Sequence, residues 1–360
     1  MRWSTRALAA LLALTAAATV GTGTAAAQAP YSRGELPAVD REVQFTADGT
    51  TAYGTVHIPA HRAGRRLAAA LLLPGSGPTD RDGNEPPALT PSTLALVADT
   101  LGEDGVMSLR FDKYATGQTG LGRYRTDPGR IDMAAFTRQA TAAYAALRAQ
   151  PEADPHALLI AGHSEGALRA LLVARAVRPE PAGLALLAPQ DLRFLDLLDG
   201  QIAAQLQQAV ASGQLTPAVG EANKAGVARA IADFRAGRPT DTSGLLPPLA
   251  DLLDKAVFSP VNARYVRSDD EVYPPDVARR LTPGIRVTVT CGSEDANVPC
   301  RTAPALIGAL AEARTTGPGL RVLPGLDHFL HPAGTPVNDH VLAPAAVQAL
   351  HEFARPWRRA

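Results

Sequence analysis

Apolar positions along the chain follow two periods. Glu42 to Ala47 and Thr51 to Ile58 alternate apolar and polar residues on either side of Asp48-Gly49, as an antiparallel hairpin requires. Leu67 to Leu73 is an unbroken apolar run, which suits a strand covered on both faces in a parallel sheet. Further strands are predicted over Val106 to Phe111, from Ala157 to Ala161, over Gly183 to Ala188, Ile285 to Thr290 and Leu320 to Leu323. Helical spacing occupies Ser92 to Leu101, Asp132 to Ala149, Thr302 to Ala313 and Pro344 to Phe353. This alternation implies an α/β fold with a mostly parallel sheet wrapped by helices, and ligands held at the carboxyl ends of the strands. No internal repeat is visible.

From Gln190 to about Asp276 the alternation stops. Leu195 to Ala211 and Pro217 to Ala236 have helical spacing, Arg238 to Pro248 is rich in Pro and Gly, and no strand pattern appears. Connections inside an α/β core are far shorter, so this stretch reads as a helical cap inserted over the sheet edge. The expected organisation is a signal peptide at 1–27, core at 38–189, cap at 190–276 and core again at 277–360. The signal reading rests on Arg2 and Arg6, the apolar Ala7 to Val20, and Ala25-Ala26-Ala27 ahead of Gln28. The apolar run is short for a membrane span, and no cysteine near the cut offers a lipid attachment point. The mature chain is therefore expected to be exported, extracellular or in the cell envelope, without a stable membrane anchor.

Composition adds mostly exclusions. The 360 residues are 46% hydrophobic and 19% charged, an ordinary globular balance. Removing residues 1–27 takes Arg2 and Arg6 from 35 basic residues and nothing from 35 acidic ones, leaving a net charge near −2. Such a balance gives no reason to expect nucleic acid or an anionic membrane as partner. Cys291 and Cys300 are the only cysteines. In an exported chain an even count permits a disulfide between them; the alternative is two unpaired small residues. Neither lies at metal-ligand spacing with histidines, and no metal or organic cofactor is implied. Oligomeric state is not legible.

The chemical signal centres on Gly162-His163-Ser164-Glu165-Gly166, a Gly-x-Ser-x-Gly turn with a predicted strand before it and an Ala/Leu-rich helix after it. That context is the nucleophile elbow, in which the serine stands proud of the sheet edge. Glycines flank it because a Cβ would collide with the crowded strand and helix backbones. An unassisted hydroxyl is a poor nucleophile, so Ser164 needs a base. His328, His331, His340 and His351 lie downstream. His328 follows the last predicted strand and is the preferred base, with His331 its competitor; His351 is expected on the solvent side of the closing helix. His163 is expected to point away from where Ser164 points, as a packing residue or one that supports the site residues from behind. The acid that orients the base is expected to be Asp295 in the loop after Ile285 to Thr290, ahead of Glu294, Asp191 and Asp196; the cysteine pair brackets that loop. Asp327 reads as a local hydrogen-bond acceptor. Oxyanion donors are expected from the backbone N–H of Glu165 and of Ser76, with Gly77 the alternative to Ser76. The glycine loop Gly75-Ser76-Gly77 lacks the Lys-Ser/Thr ending of a phosphate loop.

With the order Ser164, Asp295, His328, the chain resembles the α/β-hydrolase superfamily from about Glu42 to its end. Gly75-Ser76-Gly77-Pro78-Thr79-Asp80-Arg81-Asp82 is similar to the Gly-Ser-Gly-Pro-x-Asp-Arg-Asp signature of a bacterial serine-esterase branch, dienelactone-hydrolase-like and prolyl-oligopeptidase-like. Arg110 to Gly117 is similar to that branch's Arg-x-Asp-Lys-Arg-Gly-x-Gly segment. Pro74 stands where a histidine is common, and Tyr114-Ala115 stands where the pattern has Arg-Gly. Asp80, Arg81 and Asp82 are read as an ion-paired brace for the loop, with pocket lining as the alternative. The resemblance implies small or medium acyl esters as substrates. The expectation is thus a secreted serine carboxylic-ester hydrolase working through an acyl-enzyme on a small-molecule ester. A serine peptidase or amidase with the same triad is the second reading, and a binding protein on the same fold the third. Leu195, Leu197, Leu198, Ile202 and Leu206 could line an acyl pocket or simply form the cap's own core.

Overall fold

A computed structural model describes residues 34–358; the expected signal peptide lies outside them. In chain order the elements are β1 (Glu35–Leu36), β2 (Val39–Ala47), β3 (Thr50–Ile58), β4 (His61–Arg62), β5 (Leu67–Leu73), α1 (Thr93–Glu103), β6 (Met107–Phe111), α2 (Met133–Arg148), β7 (Ala153–His163), α3 (Glu165–Ala176) and β8 (Gly183–Leu187). Five helices follow: α4 (Phe194–Ala211), α5 (Pro217–Arg235), α6 (Pro247–Asp251), α7 (Ala263–Asp270) and α8 (Pro274–Ala278). The chain closes with β9 (Arg286–Gly292), α9 (Pro304–Glu312), β10 (Thr316–Leu323) and α10 (Pro344–Ala354).

Eight strands form one sheet in the order β10-β9-β8-β7-β5-β6-β3-β2, and β1 pairs with β4 apart from it. Within the eight-stranded sheet only β2–β3 and β3–β6 are antiparallel; the other five pairings are parallel. The hairpin turns on Asp48 and Gly49, both at positive φ, 48° and 75°. That is what a two-residue turn needs to match the strand twist.

The apolar run of β5 is explained by its two faces. Leu67, Ala69, Leu71 and Leu73 enter one core with α2, α3, α8 and α9; Ala68, Ala70 and Leu72 enter the other with α1 and α10. The same alternation splits Leu158 and Ile160 of β7 from Leu159 and Ala161. Parallel strands aligned this way end at one edge of the sheet, and that edge carries Gly75, Ser164, Gln190, Asp295 and His328 in the loops after β5, β7, β8, β9 and β10.

Helices α4, α5, α6 and α7 share a hydrophobic cluster of their own, built on Leu195, Ile202, Val227, Ile231, Leu249 and Val266. Among the described residues no helix is long and apolar enough to cross a membrane.

Two local departures from expectation have physical causes. β10 starts at Thr316, four residues before the predicted Leu320. Gly317 takes the irregular step, since a Cβ there would overlap the Val287 carbonyl oxygen of β9, and an edge strand tolerates a proline. Ala115 lies at φ 68°, at the position where the resembled pattern has glycine. A left-handed conformation costs a non-glycine residue roughly 1–2 kcal/mol. Ala115→Gly is therefore expected to raise unfolding stability by about 0.5–1 kcal/mol after the entropy of glycine is set against the relieved strain, measured by denaturant melts.

Candidate active site

β7 runs into α3 with no loop between them except Ser164, whose φ of 56° and ψ of −123° are unusual for a side-chain-bearing residue. The geometry is possible because the residues two positions to either side, Gly162 and Gly166, lack side chains. A Cβ on Gly162 would overlap the Gly166 carbonyl, and one on Gly166 would overlap the Leu73 carbonyl of β5. Ser164 is held there by its N–H to Leu187 O (2.9 Å) and by Gln190 N–H to its carbonyl (3.1 Å).

His328 Nε2 lies 3.0 Å from Ser164 Oγ, and His328 Nδ1 lies 2.8 Å from Asp295 Oδ2. The other Asp295 oxygen accepts the N–H groups of Asn297 and Val298, both at 2.8 Å. The three side chains named from sequence thus form one hydrogen-bonded line, and the carboxylate at its end has both oxygens engaged. Burial disfavours the Asp295 charge, but the His328 imidazole and those N–H donors outweigh it and hold its pKa below the usual value. Burial likewise opposes the His328 imidazolium, yet the Asp295 charge and hydrogen bond prevail and raise it above an ordinary histidine.

The other candidates are placed differently. His331 is fully buried and its N–H donates to Asp327 Oδ1, which also accepts from Phe329 N–H. Glu294 stays at the surface beside Ser293. Asp196 pairs with Arg235 (2.7 Å), and Asp191 accepts from Thr302 (2.9 Å). His351 does not face free solvent: it is partly buried against Asp104 at 2.9 Å. His163 does not point away from the site either. Its Nε2 bonds the His328 carbonyl at 2.7 Å, the two rings lie 4.9 Å apart, and it lines the same cavity as Ser164. Burial, with the nearby His328, pushes His163 down to about 3, so it stays neutral.

The loop after β5 comes close enough that a Cβ on Gly75 would sit 3.3 Å from Ser164 Cβ. Two buried basic side chains hold it. Lys113 Nζ donates to Gly75 O at 2.6 Å; Arg169 Nη2 donates to Pro74 O at 2.7 Å and Gly75 O at 3.1 Å. Arg169 pairs in turn with Glu165 at 2.6 Å, one helical turn earlier, and Glu165 accepts a short hydrogen bond from the Tyr265 hydroxyl of α7. Burial, reinforced by Arg169, pushes Lys113 down to about 7. None of these contacts was anticipated. A Glu and an Arg four apart in the first turns of the Ala/Leu-rich helix after Ser164 were the available signal; nothing marked Tyr265.

The Asp-Arg-Asp segment does brace this loop. Arg81 pairs with Asp112 (2.8 Å) and Glu42 (2.6 Å), Asp82 pairs with Arg110 (2.6 Å), and Asp80 accepts the N–H groups of Asp82 and Asn84. Cys291 and Cys300 are bridged, with Cα atoms 5.5 Å apart, closing the loop that carries Asp295.

A cavity of about 270 Å³ opens over Ser164 and His328. Of the apolar residues singled out in α4, Leu197 and Leu198 line it, whereas Leu195, Ile202 and Leu206 pack in the helices' own cluster.

No family model and no curated protein matches the sequence. Solved structures do match the fold. Est1E from Butyrivibrio proteoclasticus, solved with ferulic acid bound, is similar with a TM-score of 0.53 at 17% identity, over 88% of this chain and 98% of that one. The Pyrococcus furiosus esterase Pf2001 is similar with a TM-score of 0.53 at 14% identity, over 89% and 92%. The alpha/beta hydrolase GrgF from Penicillium sp. sh18 is similar with a TM-score of 0.53 at 17% identity, over 89% and 100%. At such identities the likeness is one of fold, and that fold is the α/β-hydrolase fold.

Proposed function

We propose that this chain is an exported serine hydrolase that cleaves small to medium carboxylic esters through an acyl-enzyme. The observation that carries the reading is the line Ser164 Oγ, His328 Nε2, His328 Nδ1, Asp295 Oδ2, with contacts of 3.0 and 2.8 Å. In this reading Ser164 Oγ attacks the ester carbonyl as His328 takes its proton. The Ser164–carbon bond forms, and the carbonyl electron pair moves to oxygen. When the tetrahedral adduct collapses, His328 returns that proton to the departing alcohol oxygen. Water then repeats the sequence on the acyl-enzyme and frees the acid and Ser164. Asp295 fixes the imidazole tautomer and favours the imidazolium formed at each transfer. The helices between β8 and β9 serve as a cap over this cavity, and the disulfide limits motion of the Asp295 loop.

The oxyanion falls to the N–H of Glu165 and that of Ser76. Glu165 is the first residue of α3, so its N–H has no partner within the helix. The Ser76 donor is aimed by its own peptide unit. Gly75 O is turned to Lys113 and Arg169, and in a trans peptide the N–H points the opposite way, away from those two side chains.

Hydrolysis of p-nitrophenyl esters from acetate to palmitate is expected to show an optimum at short to medium chains and to vanish in Ser164→Ala. Turnover unchanged in that variant, or confined to amide substrates, would sink the ester reading. The acid limb of kcat/KM is expected above the ordinary histidine value near 6.5, because His328 must be neutral to act as base and its pKa is raised. Asp295→Asn removes the charge that raises it. The limb should then move to lower pH while kcat falls by roughly 10⁴-fold; a limb that stays in place would assign it to another group. Lys113→Met is expected to lower kcat by about tenfold or more with KM nearly unchanged, since an oxyanion donor acts chiefly in the transition state. A change confined to KM would make Lys113 a substrate contact instead.

A further inference from the structure

A second cavity, of about 430 Å³, borders Ser76, Gly77 and Lys113 and takes no lining from His328. Its walls are mainly carbon, with Ile131 and Phe136 on the core side and Val261 and Val266 on the side of the inserted helices. It shares Ser76, Phe194 and Val257 with the cavity over Ser164, so the two adjoin at those residues. Its strongest polar groups are already engaged: Lys113 Nζ donates to Gly75 O, and the Tyr265 hydroxyl donates to Glu165. Such a chamber offers an occupant dehydration and dispersion rather than charge recognition.

We propose that this second chamber receives the acyl chain of the substrate, so that the protein selects esters of medium-length, apolar carboxylic acids, aliphatic or arylalkanoic. The inference rests on the Ser164–His328–Asp295 reading. Its direction comes from where the proton must go. The alcohol oxygen leaves as its bond to the carbonyl carbon breaks, and it takes the proton from His328 Nε2. The alcohol half therefore lies against the histidine side of the first cavity, where Asn297, Val298, His328 and Phe329 form the wall. The second chamber takes no lining from the loops of Asp295 or His328. An alcohol placed there would carry its oxygen away from the proton donor. The carbonyl oxygen belongs with the N–H groups of Ser76 and Glu165. Of the groups on the carbonyl carbon only the acyl chain remains free to pass Ser76, Phe194 and Val257. At roughly 30 Å³ per non-hydrogen atom the chamber holds about a dozen of them, enough for an octanoyl, decanoyl or phenylalkanoyl chain.

Ala256 and Val261 line the chamber from exposed positions, so a tryptophan at either one fills it without rebuilding the core. The test compares Ala256→Trp and Val261→Trp with the unaltered chain. It measures kcat/KM for p-nitrophenyl decanoate relative to acetate, and for decyl acetate relative to ethyl acetate. It also measures calorimetric binding of decanoate to Ser164→Ala with and without each tryptophan. The decanoyl-to-acetyl ratio is expected to fall at least about tenfold, given roughly fourfold per methylene no longer buried. The alcohol-length ratio should hold, and decanoate should bind Ser164→Ala until the chamber is filled. An acyl ratio unmoved by both tryptophans, or a change in the alcohol ratio instead, overturns the chamber assignment and leaves the hydrolase reading standing. Decanoate binding that the tryptophans abolish, in a chain with no Ser164-dependent ester turnover, supports the chamber and overturns the hydrolase reading.

Discussion

Everything at the working edge of the sheet depends on how closely α3 can approach the ends of β5 and β7. Gly166 meets the Leu73 carbonyl and Gly162 meets the Gly166 carbonyl, with no room for a Cβ at either contact. That approach puts Ser164 in a backbone conformation costing on the order of 1–3 kcal/mol. Hydrogen bonds from Ser164 N–H to Leu187 and from Gln190 and Ala167 N–H to the Ser164 carbonyl hold it there. The strain has a geometric product. The hydroxyl projects from the edge at the level where His328 arrives from β10, and the free N–H end of α3 sits beside the Gly75 loop.

A second constraint is electrostatic. Glu165, Arg169 and Lys113 are each less than 4% exposed, and Tyr265 and Asp269 of α7 are packed with them. Burying charge is expensive, and apolar replacements of equal shape often match such a network in stability. What this one supplies is orientation. It connects the elbow helix to the carbonyls of Pro74 and Gly75 and, through Tyr265, to the inserted helices. Burial, reinforced by the Glu165 charge, raises the pKa of the Tyr265 hydroxyl and of the Asp269 carboxyl well above their usual ranges. The phenol can thus donate to Glu165, and Asp269 accepts from Gln190 at 3.0 Å.

Much of this was legible because strand periodicity and turn chemistry are local. The β5 run, the Asp48-Gly49 hairpin and the elbow follow from residues within a few positions of each other. Ser164, Asp295 and His328 could be named because the topology forces loops after parallel strands to one edge, whatever lies between them in sequence. The features that escaped are long-range. The turn of His163 onto the His328 carbonyl depends on a loop 165 residues away. The Tyr265–Glu165 contact depends on where α7 docks, and no helical period encodes that. His351 looked solvent-facing from its helix alone, and it is the packing of α10 on α1 that brings it to Asp104. The short helices α6 and α8 were hidden by prolines. Proline breaks a helix pattern in its interior but is well suited to the first turn, where it stands in both.

The choice between Asp295 and Asp191 shows how the same burial can make one carboxyl suited to partner a histidine and another unsuited. Both are at least nine-tenths buried at the same sheet edge. Asp191 has Thr302 as its side-chain hydrogen-bond donor; burial dominates and pushes it up to about 6, so its charge is held less firmly than that of Asp295. Asp295 sits in a turn whose N–H groups at Asn297 and Val298 converge on one oxygen, leaving the other for His328. Those donors and the imidazole overcome the burial and keep the carboxylate ionised. Asp191 is not idle in this arrangement. By accepting from Thr302, just past Cys300, it anchors the far end of the disulfide-closed loop in which Asp295 sits. An acid that the sequence offers only as an outside alternative thus helps to fix the position of the one that faces the histidine.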